Sequence, residues 1–231
     1  MKTRNGELTI QNIKGIGEET ASQLNDMGIF SVLDLLEYLP YRYEDYRLRD
    51  LEEVAHDERV TVEGKVHSEP ALMFYGRKKS RLTVRILVGR NLVQAVFFNQ
   101  PYLKKKINLH DTVTVTGKWD KNRQIITVQY FHSGPQDKQG DFEPVYSLKG
   151  TMKNNTLRKF IKKGFSEYSD MITENLPSHL MEKYKLSSRK DALYHLHFPD
   201  STEDMKQARR RFVYEEFLLF QLKMQALRKF E

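Results

Sequence analysis

Two stretches of this chain set flat rings beside fixed positive charge, a pairing that suits a nucleic-acid strand: rings stack on bases and cations meet phosphates. The first is 70–80, where Phe74 and Tyr75 precede Arg77, Lys78 and Lys79 around the permissive Gly76. Its blander role is a solvated hairpin tip whose two rings cover a barrel rim. The second is 95–106, AVFFNQPYLKKK. Alternation along a strand sends Phe97 and Phe98 to opposite faces, so one can sit in a core while the other points out. Tyr102 follows Phe98 by four residues. A strand ending at Asn99 would let those rings lie side by side, with Lys104, Lys105 and Lys106 close behind. In the competing arrangement Tyr102 and Leu103 plug a barrel bottom and the lysines form a wet surface.

Other chemistry is thinly represented. The sequence has no Gly-rich phosphate loop ending in Lys-Ser or Lys-Thr. His195 and His197 stand two apart near a helix end, and without cysteine they lack the company a metal needs. Glu215 and Glu216 are adjacent on a helix and point about 100° apart, which is poor for paired carboxylates; solvation or a salt bridge to Arg211 or Lys223 is expected. No Ser-His-Asp set is legible. The expectation is therefore no catalytic residue, cofactor site or metal site in this chain.

The charge balance, 38 Lys and Arg against 31 Asp and Glu for a net +7, allows an anionic partner. The absence of cysteine excludes disulfides and cysteine-based zinc sites, and fits the cytoplasm. No apolar run reaches membrane-spanning length, so no membrane contact is expected. The opening MKTRNGELTIQ has no apolar core of a signal peptide.

The elements that must position the rings are strands. Between 59 and 131 lie five short runs rich in Val, Ile, Thr and aromatics. Val60, Val62 and Val66 share one face of the first, with Thr61, Glu63 and Lys65 on the other. In the fourth, Val113, Val115 and Trp119 oppose Thr112, Thr114, Thr116 and Lys118. Five strands with a short helix after the third predict an OB-fold barrel. Trp119 is expected in its core, Asn122 in the last hairpin turn, and 133–141 as a polar hinge.

Helices flank the barrel, which makes the fold class α+β. In 1–50, the turn Lys14-Gly15-Ile16-Gly17 predicts a helix-hairpin-helix element. Ala21 and Leu24 mark its first helix, Gly28 ends it, and Ser31 caps a second whose apolar side is Leu35, Leu36 and Leu39 before Pro40. The turn could pack, or meet a phosphate through its backbone N–H groups; Glu18 and Glu19 oppose the second role. The segment 40–47, dense in Tyr and charge, is expected to seal helices against the barrel. Residues 134–231 read as an extended lead-in at 142–147, a helix at 153–165 with Leu157, Phe160 and Ile161 buried, shorter helices at 168–175, 178–185 and 188–196, and a long helix from Ser201. Met205, Ala208, Phe212, Leu219, Leu222 and Ala226 define its apolar face. With Phe217, Phe220 and Phe230 it carries more apolar surface than a small free terminus needs, so a further domain is expected beyond Glu231. The expected segments are 1–50, 51–133 and 134–231. From residues alone three roles stay open: a branched-DNA wedge, a general single-stranded nucleic-acid module, and a structural or protein-interaction domain.

Several phrases then carry a resemblance in order. They are the Lys14–Gly17 turn, DLLEYLPYRYED at 34–45, Phe97-Phe98-Asn99 with Tyr102-Leu103, Pro144-Val145-Tyr146, His197-Phe198-Pro199, and Ala208-Arg209-Arg210-Arg211-Phe212 with Tyr214-Glu215-Glu216-Phe217. Together they resemble the amino-terminal third of the RecG family of bacterial ATP-dependent DNA helicases. Some members of that family carry a longer amino-terminal extension. The resemblance implies a motor that binds stalled replication forks and Holliday junctions in recombination and repair. It implies that the barrel is the wedge at the branch point, with Phe98 and Tyr102 stacking on opened bases. Arg77, Lys78 and Lys79 would hold a backbone, and Lys104, Lys105 and Lys106 would form a second grip. ATP and Mg2+ would belong to motor domains beyond Glu231, so this chain would bind forks and hydrolyse nothing. Also implied are a monomer, a single-stranded-DNA-binding protein as a further partner, and a cytoplasmic, nucleoid-associated location.

Overall fold

The computed structural model describes residues 8–136 and 141–228; the glycine of the expected hinge at Gly140 and the ring of Phe230 lie outside the described residues. The chain divides into two compact units, one made of residues 45–142 and the other of 1–44 with 143–231. The first and last expected segments thus contribute to a single helical unit.

In the helical unit, a short strand β1 (Arg42–Asp45) pairs with the later strand Phe142–Val145 at the point where the chain leaves and re-enters. The barrel strands are β2 (Arg59–Val66), β3 (Ala71–Phe74), β4 (Ser80–Val88), β5 (Asn91–Phe98), β6 (Thr112–Asp120) and β7 (Ile125–Ser133), so Phe142–Val145 is β8. Their order is β2-β6-β7-β5-β4-β3. A second pairing of β2 with β4, at Lys65↔Leu87 and Val66↔Ile86, closes five of them into the OB-like barrel, and β5 runs parallel to β7. The stretch 70–80, expected as a connecting loop, holds the sixth strand β3. Its sequence shows no alternation because Ala71, Met73 and Phe74 are all exposed and only Leu72 turns inward.

Alternation fills the barrel as expected: Val60, Val62, Val66, Val113, Val115 and Trp119 are buried. The opposite face is drier than its threonines suggest. Thr61, Thr114 and Thr116 are also buried, and they meet their polar needs locally. Thr61 Oγ1 and Thr116 Oγ1 share a 2.8 Å hydrogen bond, and Thr114 Oγ1 donates to Gly134 O at 3.0 Å. Between Thr116 and Gly117 the register with β7 shifts, a bulge that brings strands very close. A Cβ on Gly117 would stand 2.1 Å from Thr127 O, so no larger residue fits.

The helical unit carries α1 (Glu18–Asp26), α2 (Val32–Leu36), α3 (Asn154–Tyr168), α4 (Ser178–Tyr184), α5 (Arg189–His197) and α6 (Thr202–Arg228). Of the expected helix at 168–175, the structure forms only a 3-10 turn, Ser169–Met171. Gly28 has φ +86, the left-handed value that ends α1 cheaply only for glycine. Ser31 caps α2 through a full capping box with Asp34. Leu35 and Leu36 pack with Leu24, Leu157 and Ile161, whereas Leu39, expected with them, is 38% exposed. Phe160 is only partly buried at that core's edge.

On α6 the expected apolar face holds only in the first half. Its buried residues are Ala208, Arg211 and Glu215; Leu219 and Leu222 are about half exposed. Arg211 Nη1 lies 2.7 Å from Glu215 Oε2, and Arg211 also pairs with Glu174. Glu215 further pairs with Arg189, whose other nitrogen reaches Glu37 Oε1 at 3.0 Å. Asn175 Nδ2 donates to Glu215 at 3.0 Å. The expected bridge to Arg211 is present, but as part of a buried network instead of a solvated face. Removing one member would strand a buried charge.

His197 is wholly buried. Its Nε2 sits 2.8 Å from Leu36 O, and because a carbonyl only accepts, Nε2 carries the proton. Its Nδ1 therefore accepts from Tyr146 O–H at 2.7 Å. Burial pushes the imidazole down to about 4.

Two outcomes follow. Gly117→Ala is expected to cost the barrel about 1–3 kcal/mol, read as a lower urea midpoint of the fluorescence of Trp119, the sole tryptophan. For His197 the folded state binds the proton less tightly than the unfolded chain. Its contribution is complete above about pH 6.5 and is lost as pH falls towards about 4. Far-ultraviolet circular dichroism should show helical stability falling by about 3 kcal/mol across that window, and a His197→Gln variant should lose that dependence.

Candidate nucleic-acid interface

Parity along β5 separates the two phenylalanines. Phe97 is buried, edge-on to Phe131 with ring centres 5.8 Å apart. Phe98 points outward and is 43% exposed. The strand stops there because Asn99 adopts a left-handed backbone (φ +57), a conformation Asn tolerates better than most residues. Asn99 is held at both ends: its N–H donates to Ser80 O at 2.8 Å, and Ser80 N–H donates to Asn99 Oδ1 at 3.1 Å. This tie to the start of β4 turns the chain into a 3-10 helix, Pro101–Lys105.

That helix divides the two roles weighed for its residues. Leu103 enters the barrel core, while Tyr102 is 58% exposed. Tyr102 O–H donates to Gln100 Oε1 at 3.3 Å, and Lys106 Nζ lies 5.7 Å from the ring centre. Lys104, Lys105 and Lys106 are all exposed. Among the described residues no ring contact joins Phe98 to Tyr102; the side-by-side placement open to them in sequence is not a stacked pair here.

The other stretch is the tip of the β3–β4 hairpin. Tyr75 N–H donates to Lys79 O at 3.1 Å and closes it, with Gly76 and Lys78 both at positive φ. Phe74 is 68% exposed and Tyr75 44% exposed, which is not the burial expected of rings covering a rim. Arg77, Lys78 and Lys79 are exposed beside them. The 3-10 helix packs on both β3 and β4, so the two ring-and-cation stretches occupy one end of the barrel.

Register adds two residues that sequence reasoning missed. Met73 pairs with Arg81, and Arg81 pairs with Phe98. In antiparallel pairing, opposed side chains share a face, so thioether, guanidinium and ring form one row across three strands. The signal was in the sequence only as an apolar run at 71–74; without β3 as a strand there is no row to find.

The carbonyl of Lys14 is held by Lys163 Nζ at 2.6 Å, tying the hairpin turn to α3, and Glu18 and Glu19 stand exposed at the α1 N-terminus. Among the described residues, no group of three His, Asp or Glu is placed to hold a metal. No described helix is long and apolar enough to cross a membrane. The described residues at this end of the barrel present exposed rings beside exposed cations.

The chain is similar to known proteins. The family model described as the RecG wedge domain matches residues 9–168. The ATP-dependent DNA helicase RecG of Bacillus subtilis (strain 168) is 57% identical over 225 residues, covering 97% of this chain and 33% of the relative. That of Staphylococcus aureus (strain NCTC 8325 / PS 47) is 41% identical, covering 96% and 33%. A solved structure of RecG bound to a three-way DNA junction superposes with a TM-score of 0.73 at 30% identity, covering 96% of this chain and 31% of that one. The chain thus spans about a third of the length of the curated relatives it matches.

The division of labour at 102–103 has a direct check. Leu103→Ala should cost the barrel about 2–5 kcal/mol, whereas Tyr102→Ala should shift it by no more than about 0.5 kcal/mol, both read from the urea midpoint of Trp119 fluorescence.

Proposed function

The chain belongs to the RecG wedge domain family, and from that premise we propose that it is the part of an ATP-dependent DNA helicase that binds branched DNA and splits its strands. The observation that carries this is the gathering of Phe98, Tyr102, Phe74 and Tyr75 with six exposed cations at one end of a closed barrel. A solved relative is bound to a three-way DNA junction, which supports the same class of ligand here.

The mechanism is one of substitution. Opening a base pair at a branch loses stacking and pairing worth a few kcal/mol. A ring presented to the freed base returns roughly 1–3 kcal/mol. Phe98 and Tyr102 are exposed and anchored from behind by Asn99 and Leu103, so they can meet a base without disturbing the core. Arg77, Lys78 and Lys79 meet one backbone, and Lys104, Lys105 and Lys106 another. Rings and cations alone can hold a split end; they cannot drive repeated opening. We assign that work, with ATP and Mg2+, to domains of the longer protein. The residues of this chain do not fit those groups, since it has neither a phosphate loop in its sequence nor a metal-holding cluster among the described residues. This chain alone is then inactive as an ATPase. The reading extends to stalled forks and Holliday junctions as substrates, recombination and repair as the setting, a monomer, contact with a single-stranded-DNA-binding protein, and a cytoplasmic, nucleoid-associated location.

Fluorescence anisotropy on a three-way fork, matched duplex and matched single strand tests the reading. The fork should bind most tightly, and Phe98→Ala with Tyr102→Ala should weaken it by about 1–3 kcal/mol per ring that stacks. Changing Lys104, Lys105 and Lys106 to alanine should flatten the salt dependence by about 0.7–0.9 for each lysine on a phosphate. Equal affinity for all three DNAs, unmoved by the ring substitutions, would remove the wedge assignment.

A further inference from the structure

The row that β3 completes contains a charge with nothing to answer it. Arg81 lies between the exposed Met73 and the exposed Phe98 on adjacent strands. Its Nε is shut away from solvent with no hydrogen-bond partner. Among the described residues no carboxylate lies within ion-pair distance of its guanidinium, and that guanidinium stacks on no ring. Two other arginines with a sequestered Nε have their charge met elsewhere: Arg158 by Glu143, and Arg211 by Glu174 and Glu215. Arg81 differs from both. A buried donor left unpaired is costly, more so on a charged group. An arginine in a strand flanked by a thioether and a phenyl ring gains packing for its stem, but packing does not explain retaining the charge.

We infer that Arg81 is a phosphate-binding residue that fixes the backbone of the nucleotide whose base stacks on Phe98. This rests on the wedge reading above and deepens it. Opposed side chains in an antiparallel pair start about 4.5–5.5 Å apart, so ring and guanidinium reach the base and the phosphate of one nucleotide together. The planar fork of arginine supplies donors to two phosphate oxygens, which lysine cannot copy. With Nε enclosed, the phosphate is met by the two terminal nitrogens of the guanidinium, which are not enclosed as Nε is. The exposed lysines at 104–106 and the hairpin tip bind backbone wherever it passes. Arg81 would act at a single linkage, because the strands on either side hold it in place. Its effect is register: it sets which nucleotide of the opened strand sits on the ring.

A scan of single methylphosphonate linkages, which are uncharged, tests this on the 231-residue chain with a fork labelled for anisotropy. One linkage beside the junction should weaken wild-type binding several-fold while its neighbours have little effect. Arg81→Gln, which keeps the stem, should weaken the unmodified fork by a similar factor and show no further loss at that linkage. It should also lower the salt slope by about 0.7–0.9 and leave the Trp119 unfolding midpoint unchanged. Arg81→Lys should retain the slope but lose part of the affinity. A flat methylphosphonate profile in the wild type overturns the inference, as does an unchanged salt slope in Arg81→Gln. A loss of barrel stability in Arg81→Gln with unaltered linkage sensitivity would make the residue structural. Absence of fork binding by the wild type would instead bring down the wedge reading itself, so the two failures are distinguishable.

Discussion

One edge of β4 is divided between two neighbours, and the barrel's form and its candidate interface both depend on that division. The second half of β4 pairs with β2 and closes the barrel; the first half, left over, pairs with β3. A strand edge without a partner is a row of unmet donors and acceptors. Adding β3 covers that row and at the same time carries Met73, Phe74 and the cationic tip out from the rim. Closure therefore dictates where the projecting hairpin can be, and the hairpin cannot be removed without exposing the edge.

The inner side of the same region obeys parity. With Phe97 committed to the core, Phe98 must face out. Leu103, committed to the plug, leaves Tyr102 on the surface one residue away. Asn99 joins the two commitments through its left-handed backbone and its paired hydrogen bonds to Ser80. The outward rings are fixed by what the inward neighbours fill. The backbone beneath those rings is thus placed before any ligand arrives, and backbone already in place lowers the entropy spent in ordering a site.

Much of this could be read from residue order. Five runs rich in Val, Ile, Thr and aromatics, two of them clearly alternating, marked five strands; Ser31 and Gly28 marked helix ends, and the opposed directions of Phe97 and Phe98 followed from alternation alone. What stayed hidden needed partners. The strand β3 has mostly exposed residues, so no pattern betrayed it, and without it Arg81 had no row to belong to. Alternation put Thr61, Thr114 and Thr116 on the face opposite the valines but could not show that this face is dry too; the bond between Thr61 and Thr116 and that of Thr114 to Gly134 O let them be buried. On α6, helical periodicity pointed to Leu219 and Leu222, while the residues in fact enclosed are Arg211 and Glu215. Burial of an ion pair depends on partners such as Arg189 and Glu174 that are distant in sequence, and no local spacing reveals them.

The β1–β8 ribbon, finally, sets an order of events for a chain emerging from a ribosome. The helical unit is assembled from residues before 45 and after 142, with the whole barrel between. At a usual elongation speed, that intervening stretch takes roughly five to twenty seconds to synthesise. Throughout this interval Leu24, Leu35 and Leu36 have no α3 to cover them, and the barrel has all its strands before α3 is made. The apolar faces of α1 and α2 therefore wait uncovered until the chain has returned through β8 and reached α3.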